Sequence, residues 1–311
     1  MKVIEFLKQQ TVWLLLLIII ILGSVLSPDF LTTGNIMNIL RQAAALSFVS
    51  IGQTFAVIAN VVDLSVGSTI SLVQCVAAKT MDGDVEGILP ALIFSILILV
   101  GVGLFNGYFV AKRKGNPFIV TLGSMTALQG IVLIYTNENP VGSVPKVFRF
   151  IADGNIGPIP LPIILVVVFF ALGQLVLRKT RFGRYTLAVG GNEEVARLSG
   201  VRVSFIKFAA YILASLGAAV TGLFLAARMN VGEPLVGSNF SLDSIAAVVI
   251  GGTNISGGDG SLIGTLGGVL LYSVLSNMMN ILNISPFYQI AIKGLIIVLA
   301  ISIGQIKKLR K

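Results

Sequence analysis

An all-α, polytopic membrane bundle is the fold class this sequence predicts, and three observations carry the prediction. Hydrophobic residues make up 55% of the 311 and charged residues only 11%, against roughly 25% charged in a soluble domain. The mean hydropathy is +0.96. The apolar residues gather into runs, most of them near the ~20 residues a helix needs to cross a bilayer. A globule so poor in charge could not cover its own surface with polar groups, so lipid is the solvent for most of the chain. A soluble enzyme, a disordered protein and a nucleic-acid-binding domain are thereby excluded.

The runs, in order, are Val12 to Leu26, Ile36 to Ala59, a short one from Leu64 to Ala78, Ile88 to Ala111, Phe118 to Tyr135, Ile159 to Leu177, Phe205 to Ala227, a short one from Leu242 to Gly252, Ser261 to Leu282, and Phe287 to Ile306. Lys2 and Lys8 before the first run resemble the start of a signal peptide. No small-x-small cleavage site follows, so the run reads as an uncleaved first span. The expected architecture is a single transmembrane domain over 1–311, with about ten spans. The alternative is eight full spans with two re-entrant pairs, because the third and eighth runs are short.

Orientation follows from the basic residues. Sixteen of the 22 Lys and Arg fall on one side if every run spans once: before the first run, at 112–114, between Arg178 and Lys207, and after the tenth run. This side is expected to be the cytoplasm, with both termini there. Arg41, Lys79, Lys146, Arg149 and Arg228 fall on the other side, among most of the acidic residues. The net charge of +9 is thus a topology signal, with attraction to anionic membrane lipid, and not a sign of nucleic acid. One cysteine, Cys75, allows no intrachain disulfide, and there is no histidine. The commonest general base and the commonest nitrogen ligand for metals are therefore missing. No catalytic residue, metal site or cofactor is expected in this chain.

Two irregular stretches interrupt apolar sequence: Val62 to Ser68, and Gly251 to Ser261. Each follows an Ala-Val-Ile-type run and ends in Gly-Ser, a weak similarity between the two halves. Either they are broken helices beside a transport path, or they are ordinary loops turning on glycine. Asp63 is placed to cap the helix that starts near Ser65. Gly260, Gly264 and Gly268 share one helical face, fit for an internal contact or a subunit interface. Gly101, Gly103 and Gly107 lie mid-span and read as helix packing. Lys293 sits about two turns into the last run, where it either snorkels or pairs with Asp243 or an amide. Polar groups in or beside the runs include the amides Gln42, Gln53, Asn60, Gln74, Asn106, Gln129, Asn277, Asn280 and Asn283. Amides suit a neutral polyhydroxy solute, and equally suit hydrogen bonds between helices. No Gly-x-x-x-x-Gly-Lys phosphate loop is present.

The segment from Arg181 to Val203 is the sharpest signal. Asn192 is a good N-cap, Glu193 and Glu194 suit a first turn, Arg197 suits the last, and Gly200 ends the helix. A short capped helix held off the membrane between basic stems is shaped to dock with a partner. A solvated loop helix is the plainer alternative.

Asn38 to Gln42, Asp63 to Ser68, Asn106-Gly107, Pro117 to Gly123, Gly183 to Gly200, Gly251 to Ser261 and Lys293-Gly294 together resemble the permease subunit of ribose-type sugar importers. These are bacterial members of the ATP-binding-cassette transporters, and the resemblance covers about Asn35 to Gly304. Two departures stand out: Asn60-Val61-Val62 where the family usually has Gly-Gly before Asp-Leu-Ser, and Asp259 where a basic residue is common. The resemblance implies a multi-pass permease of the bacterial inner membrane that moves a ribose-like sugar. A nucleoside, a branched-chain amino acid or a secondary carrier are the alternatives. It implies a coupling helix within the cytoplasmic loop 178–204, using Gly190, Asn192, Glu193, Glu194, Ala196, Arg197 and Gly200. The expected translocation-path residues are Asn60, Asp63, Ser65, Ser68, Asn106, Thr253, Asn254, Ser256 and Asn277. The partners implied are a second permease subunit (a copy or a paralogue), a cytoplasmic ATPase that binds ATP and magnesium, and an extracytoplasmic solute-binding protein.

Overall fold

The computed structural model describes residues 11–309. Lys2, Lys8, Arg310 and Lys311, used above for orientation, lie outside them. Ten helices coincide with the ten apolar runs: α1 Thr11–Leu26, α2 Thr33–Ile58, α3 Val66–Met81, α4 Ile88–Gly107, α5 Pro117–Thr136, α7 Leu161–Lys179, α10 Val203–Met229, α11 Phe240–Ile250, α12 Leu262–Ile281 and α13 Pro286–Leu309. Three shorter helices, α6 Lys146–Asp153, α8 Arg181–Gly191 and α9 Glu193–Leu198, lie between them, with a two-residue hairpin, β1 Asn155–Ile156 and β2 Ile159–Pro160. Among the described residues, five helices are each long and apolar enough to cross a bilayer: α4 with its π-helical extension to Lys112, α5, α7, α10 and α12. Pro117 at the first turn of α5, behind an Asn116 side chain that accepts from the Phe118 and Ile119 amides, shows how sharply these spans begin.

Composition sorts the helices into centre and periphery. Lipid offers no hydrophobic drive between helices, so close backbone packing through small residues decides which ones meet. α2 and α10 are rich in Ala, Gly and Ser and form the central pair. Gly52 lies against the backbone of Leu213 and Ala214, and Gly217 against that of Phe48 and Val49. The Leu- and Ile-rich α4, α5 and α7 turn large apolar side chains outward, among them Ile96, Leu97, Phe118, Ile134 and Leu172.

The two halves form an inverted pair. α2 packs on α11 and α12, whereas α10 packs on α3 and α4. The stretch Asn60-Val61-Val62-Asp63-Leu64-Ser65-Val66-Gly67-Ser68 recurs as Asn230-Val231-Gly232-Glu233-Pro234-Leu235-Val236-Gly237-Ser238. Both begin at a left-handed asparagine, Asn60 at φ 58° and Asn230 at φ 60°. The two meet reciprocally: the Gly67 amide donates to Ser241 Oγ and the Gly237 amide to Ser71 Oγ, both at 3.0 Å. A Cβ on Gly67 would stand 2.5 Å from the Gly237 carbonyl oxygen. This corrects the similarity expected between Val62–Ser68 and Gly251–Ser261: the counterpart of 60–68 is 230–238. It also accounts for the two short runs. Each is the helical part of a span whose first part is irregular backbone, and the side chains of the opposite half satisfy that backbone. Residues 231–237 run antiparallel to α3, with Gln74 bonded to Val231 and Glu233 and Gln129 to Pro234.

The connections separate into two ends. At the basic end, the Gly258 amide donates to the Ile58 carbonyl (2.9 Å) and Arg178 reaches the Gly260 carbonyl (3.3 Å). At the opposite end Val141 bridges Gly232, Val144 donates to Asn230 Oδ1, and Arg149 pairs with Asp153 on α6. Gly264 and Gly268 are spent inside the protomer, against Gly251 and the Ala247 carbonyl of α11. They are not free for a subunit interface. Gly103 and Gly107 receive Ile212 and Phe208 of α10, as helix-packing residues should, while Gly101 faces open space.

Candidate functional site: a capped helix on a glycine junction, and a buried polar node

The segment between α7 and α10 is more helical than a loop. Thr180 starts α8 by accepting from the Gly183 amide (3.2 Å). A break at Asn192, in extended conformation, then starts α9. Asn192 Oδ1 accepts from the Val195 amide at 3.0 Å, as expected of an N-cap. Gly200 adopts φ +81° to leave the helix, a conformation that favours glycine. Glu194 pairs with Arg197, and Glu193 with Lys207 of α10 at 2.5 Å. Ala196 turns inward and packs with Val189, Val203 and Ile206. The outward face carries Val195, 57% exposed, and Leu198, 79% exposed, between the charged side chains. An apolar pair ringed by charge on a protruding helix has the composition of a docking face.

Gly190 fixes where this segment sits. It presses directly on the Ile58 carbonyl oxygen, with the Gly258 amide nitrogen 2.6 Å from where a Cβ would stand. Gly258, at φ +80°, in turn abuts Gly191. Thus α8, the end of α2 and the loop before α12 meet backbone to backbone. Within that loop Asn254 Oδ1 accepts from the Ser256 amide (3.0 Å), Thr253 is buried, and Ser256 is exposed.

Asp63, Ser65 and Asn106 converge on a second place. Asp63 Oδ1 accepts from both the amide (2.8 Å) and the hydroxyl (2.6 Å) of Ser65. Asp63 therefore organises the turn before α3, while Ser65 itself supplies no side-chain cap. Asn106 Nδ2 donates to Ser65 Oγ (2.9 Å) and Ser124 Oγ donates to Asn106 Oδ1 (2.5 Å). Gln53 Nε2 bonds the Asp63 carbonyl (3.2 Å). One Asp63 oxygen, Gln53 Oε1 and the Tyr211 hydroxyl are buried with no hydrogen-bond partner among the described residues. Side chains from α2, α4, α5 and the broken start of α3 are thereby tied into one fully buried polar node.

The other expected path residues lie apart. Asn60 is exposed at the basic end, Ser68 is buried at the start of α3, and Asn277 exchanges two amide hydrogen bonds with Asn35 (3.0 and 2.8 Å). Most of the amides hold helices together, and Asn280 and Asn283 are exposed. Among the described residues, Lys293 makes no ion pair with a carboxylate. Its ammonium stands 4.9 Å over the Tyr272 ring, whose hydroxyl donates to Asp243. Sequence reasoning missed Ser71, Ser241, Gly237, Ser124 and Tyr211. The recurring Asn-Val and Val-Gly-Ser frame could have pointed to the first three.

Comparison with known proteins fits this arrangement. Residues 35–301 match the family described as "Branched-chain amino acid transport system / permease component". The chain is 39% identical over 294 residues to the ribose import permease protein of Bacillus subtilis (strain 168), covering 94% of this chain and 91% of that one. It is 36% identical over 307 residues to the ribose import permease protein of Escherichia coli (strain K12), covering 97% and 95%. It is 34% identical over 301 residues to the D-allose transport system permease protein of the same strain, covering 96% and 92%. No solved structure matches the chain. With a family match over most of its length, near-full-length relatives that are transport permeases and a bundle of membrane-spanning helices, the chain belongs to the branched-chain amino acid transport system permease family and is a multi-pass membrane permease.

Proposed function

We propose that this chain is the sugar-translocating subunit of an ATP-driven importer in the bacterial inner membrane, with a ribose-like monosaccharide as cargo. The observation that carries the substrate class is near-full-length similarity to permeases named for ribose and for D-allose. The basic end, with α8 and α9, faces the cytoplasm in this reading, in keeping with the side where Lys and Arg accumulate. The 178–204 segment offers α9 to a separate ATPase that binds ATP and magnesium. The opposite end receives a solute-binding protein, and a second permease subunit completes the path. The region of Asp63, Ser65, Ser68 and Asn106, and the loop holding Thr253, Asn254 and Ser256, lies beside that path. The nucleotide cycle shifts the permease between access states only through differential affinity for them.

Geometry supports α9 as the coupling element for a mechanical reason. Gly190 leaves no side chain between α8 and the end of α2, and α9 rests on α8 and α10 through Ala196, Val189, Val203 and Ile206. The test is uptake of labelled ribose into proteoliposomes containing the permease, its ATPase and its binding protein. Glu193→Arg combined with Arg197→Glu is expected to abolish ATP-dependent uptake while the protein stays folded, because exposed ion pairs contribute only about 0–1 kcal/mol. Uptake at the wild-type rate in that double variant would refute the coupling role. Wild-type uptake that persists without ATP, or collapses with an uncoupler, would refute ATP-driven import.

A further inference from the structure

Beside the coupling segment lies an apolar groove of about 510 Å³. Val176 at the end of α7 and Phe182 of α8 form one wall, and Phe205, Phe208, Ala209 and Ile212 of α10 form the other. Thr180 is its one hydroxyl-bearing lining residue. That hydroxyl donates to the Val176 carbonyl (2.6 Å) and accepts from Gly183, so it offers nothing to a polar occupant. From Phe205 to Leu213 the groove follows α10 for about 12 Å at the helical rise. One leaflet of the hydrocarbon core is about 15 Å deep. Basic residues neighbour the groove's lining in sequence: Lys179 and Arg181 flank Thr180, and Arg202 precedes Phe205 by three residues. All three are exposed, and none makes an ion pair among the described residues. Lys207, by contrast, is taken by Glu193.

We infer that this groove binds one anionic phospholipid, an acyl chain lying along α10 and the phosphate held between Lys179, Arg181 and Arg202. Charge complementarity, the leaflet-scale depth and the wholly apolar walls select this occupant. Its position gives it a consequence. Phe182 packs on the cluster that seats Ala196 and Ile206, so the lipid braces the base of α9. The site rests on the basic end facing an anionic leaflet, and is independent of which solute is carried.

The test uses the purified full-length permease in detergent. The thermal midpoint is measured with added phosphatidylglycerol, with phosphatidylcholine of the same chains, and with glycerophosphoglycerol lacking chains. Native mass spectrometry counts retained lipid. Phosphatidylglycerol is expected to raise the midpoint more than phosphatidylcholine does, the chainless headgroup to leave it unchanged, and about one phosphatidylglycerol to be retained per protomer. The triple variant Lys179→Gln, Arg181→Gln, Arg202→Gln changes only exposed side chains. It should weaken phosphatidylglycerol binding roughly a hundredfold, taking about 1 kcal/mol per basic side chain near an anionic headgroup. Ala209→Phe, which fills the groove, should remove the response to both lipids. Equal stabilisation by the two lipids, stabilisation by the headgroup alone, or undiminished phosphatidylglycerol retention in the triple variant would each overturn the assignment.

Discussion

Gly190 is the position where one added methyl group tests the most. In Gly190→Ala the new Cβ would overlap the Ile58 carbonyl oxygen and stand 2.6 Å from the Gly258 nitrogen. Both neighbours are backbone, so no rotamer change relieves the clash. The new Cβ would stand 1.7 Å from that oxygen, so to reach an ordinary contact of 3.4 Å α8 must retreat from α2 by 1.7 Å, an overpacking that costs about 1–3 kcal/mol. The Gly258–Ile58 hydrogen bond of 2.9 Å is strained by the same retreat, for about 1 kcal/mol more. Against this stands a gain of about 1 kcal/mol from replacing a helical glycine with alanine. The net expectation is a loss of about 1–3 kcal/mol. Gly191→Ala is the internal control. It belongs to the same helix, and its Cβ would meet only Gly258 Cα, at 3.8 Å. Thermal midpoints in detergent and ATP-dependent uptake in proteoliposomes should separate the two variants. Gly190→Ala should melt several degrees lower and transport at a tenth or less of the wild-type rate, on the order of 1.4 kcal/mol of lost coupling, while Gly191→Ala should melt at or above the wild-type midpoint and transport at the wild-type rate. If both alanine variants melt and transport alike, the backbone junction does not have the role described here.

The two-fold arrangement and the amide pair make further predictions. Ser71→Ala removes the acceptor of the buried Gly237 amide and should destabilise the protein by about 1–3 kcal/mol. Ser241→Ala removes the acceptor of the Gly67 amide and also the donor to the Leu64 carbonyl, so it should cost more, and an unfolding midpoint no lower than that of Ser71→Ala would contradict this bonding. For Asn35 and Asn277, a double-mutant cycle with alanine should give a coupling of about 0.6 kcal/mol, at most about 1.7. A coupling of zero would mean the reciprocal amide bonds do not persist in the membrane.

The spans were legible because lipid-facing helices must carry long apolar runs, and each run became a helix. The short helix of 193–198 was legible because its cap residues, Asn192 and Gly200, answer to local backbone chemistry. The counterpart of Asp63–Ser68 was not. Residues 230–238 contain Glu233 and Pro234 and read as an ordinary outer loop. Nothing local reveals that they lie along α3. The glycine-dense 251–261 stretch drew the comparison instead, yet its glycines serve the contact with Ile58 and Gly190. Amide burial was equally hidden. Gln53 and Asn280 both lie in apolar runs, but one is sealed beside Asp63 and the other is exposed. Only the packing of helices distant in sequence distinguishes them.

The end of α2 gives the separate sites a common mechanical element. Ile58 touches α8 through Gly190 and the loop before α12 through Gly258. Only a few residues on, Asp63 anchors the broken start of α3 and, through Ser65 and Asn106, reaches α4 and α5. Backbone-to-backbone contacts lack side chains that could absorb a displacement, and packed interiors move between discrete arrangements and do not deform smoothly. In the proposed importer, a partner that displaces α9 would push on α8 through Ala196 and Val189, and through Gly190 on the end of α2 and the loop before α12. Next along the chain is the polar node at Asp63, which ties α2, α4, α5 and the start of α3 together. In the proposed importer, the same few residues would carry the ATPase stroke from α9 to that node.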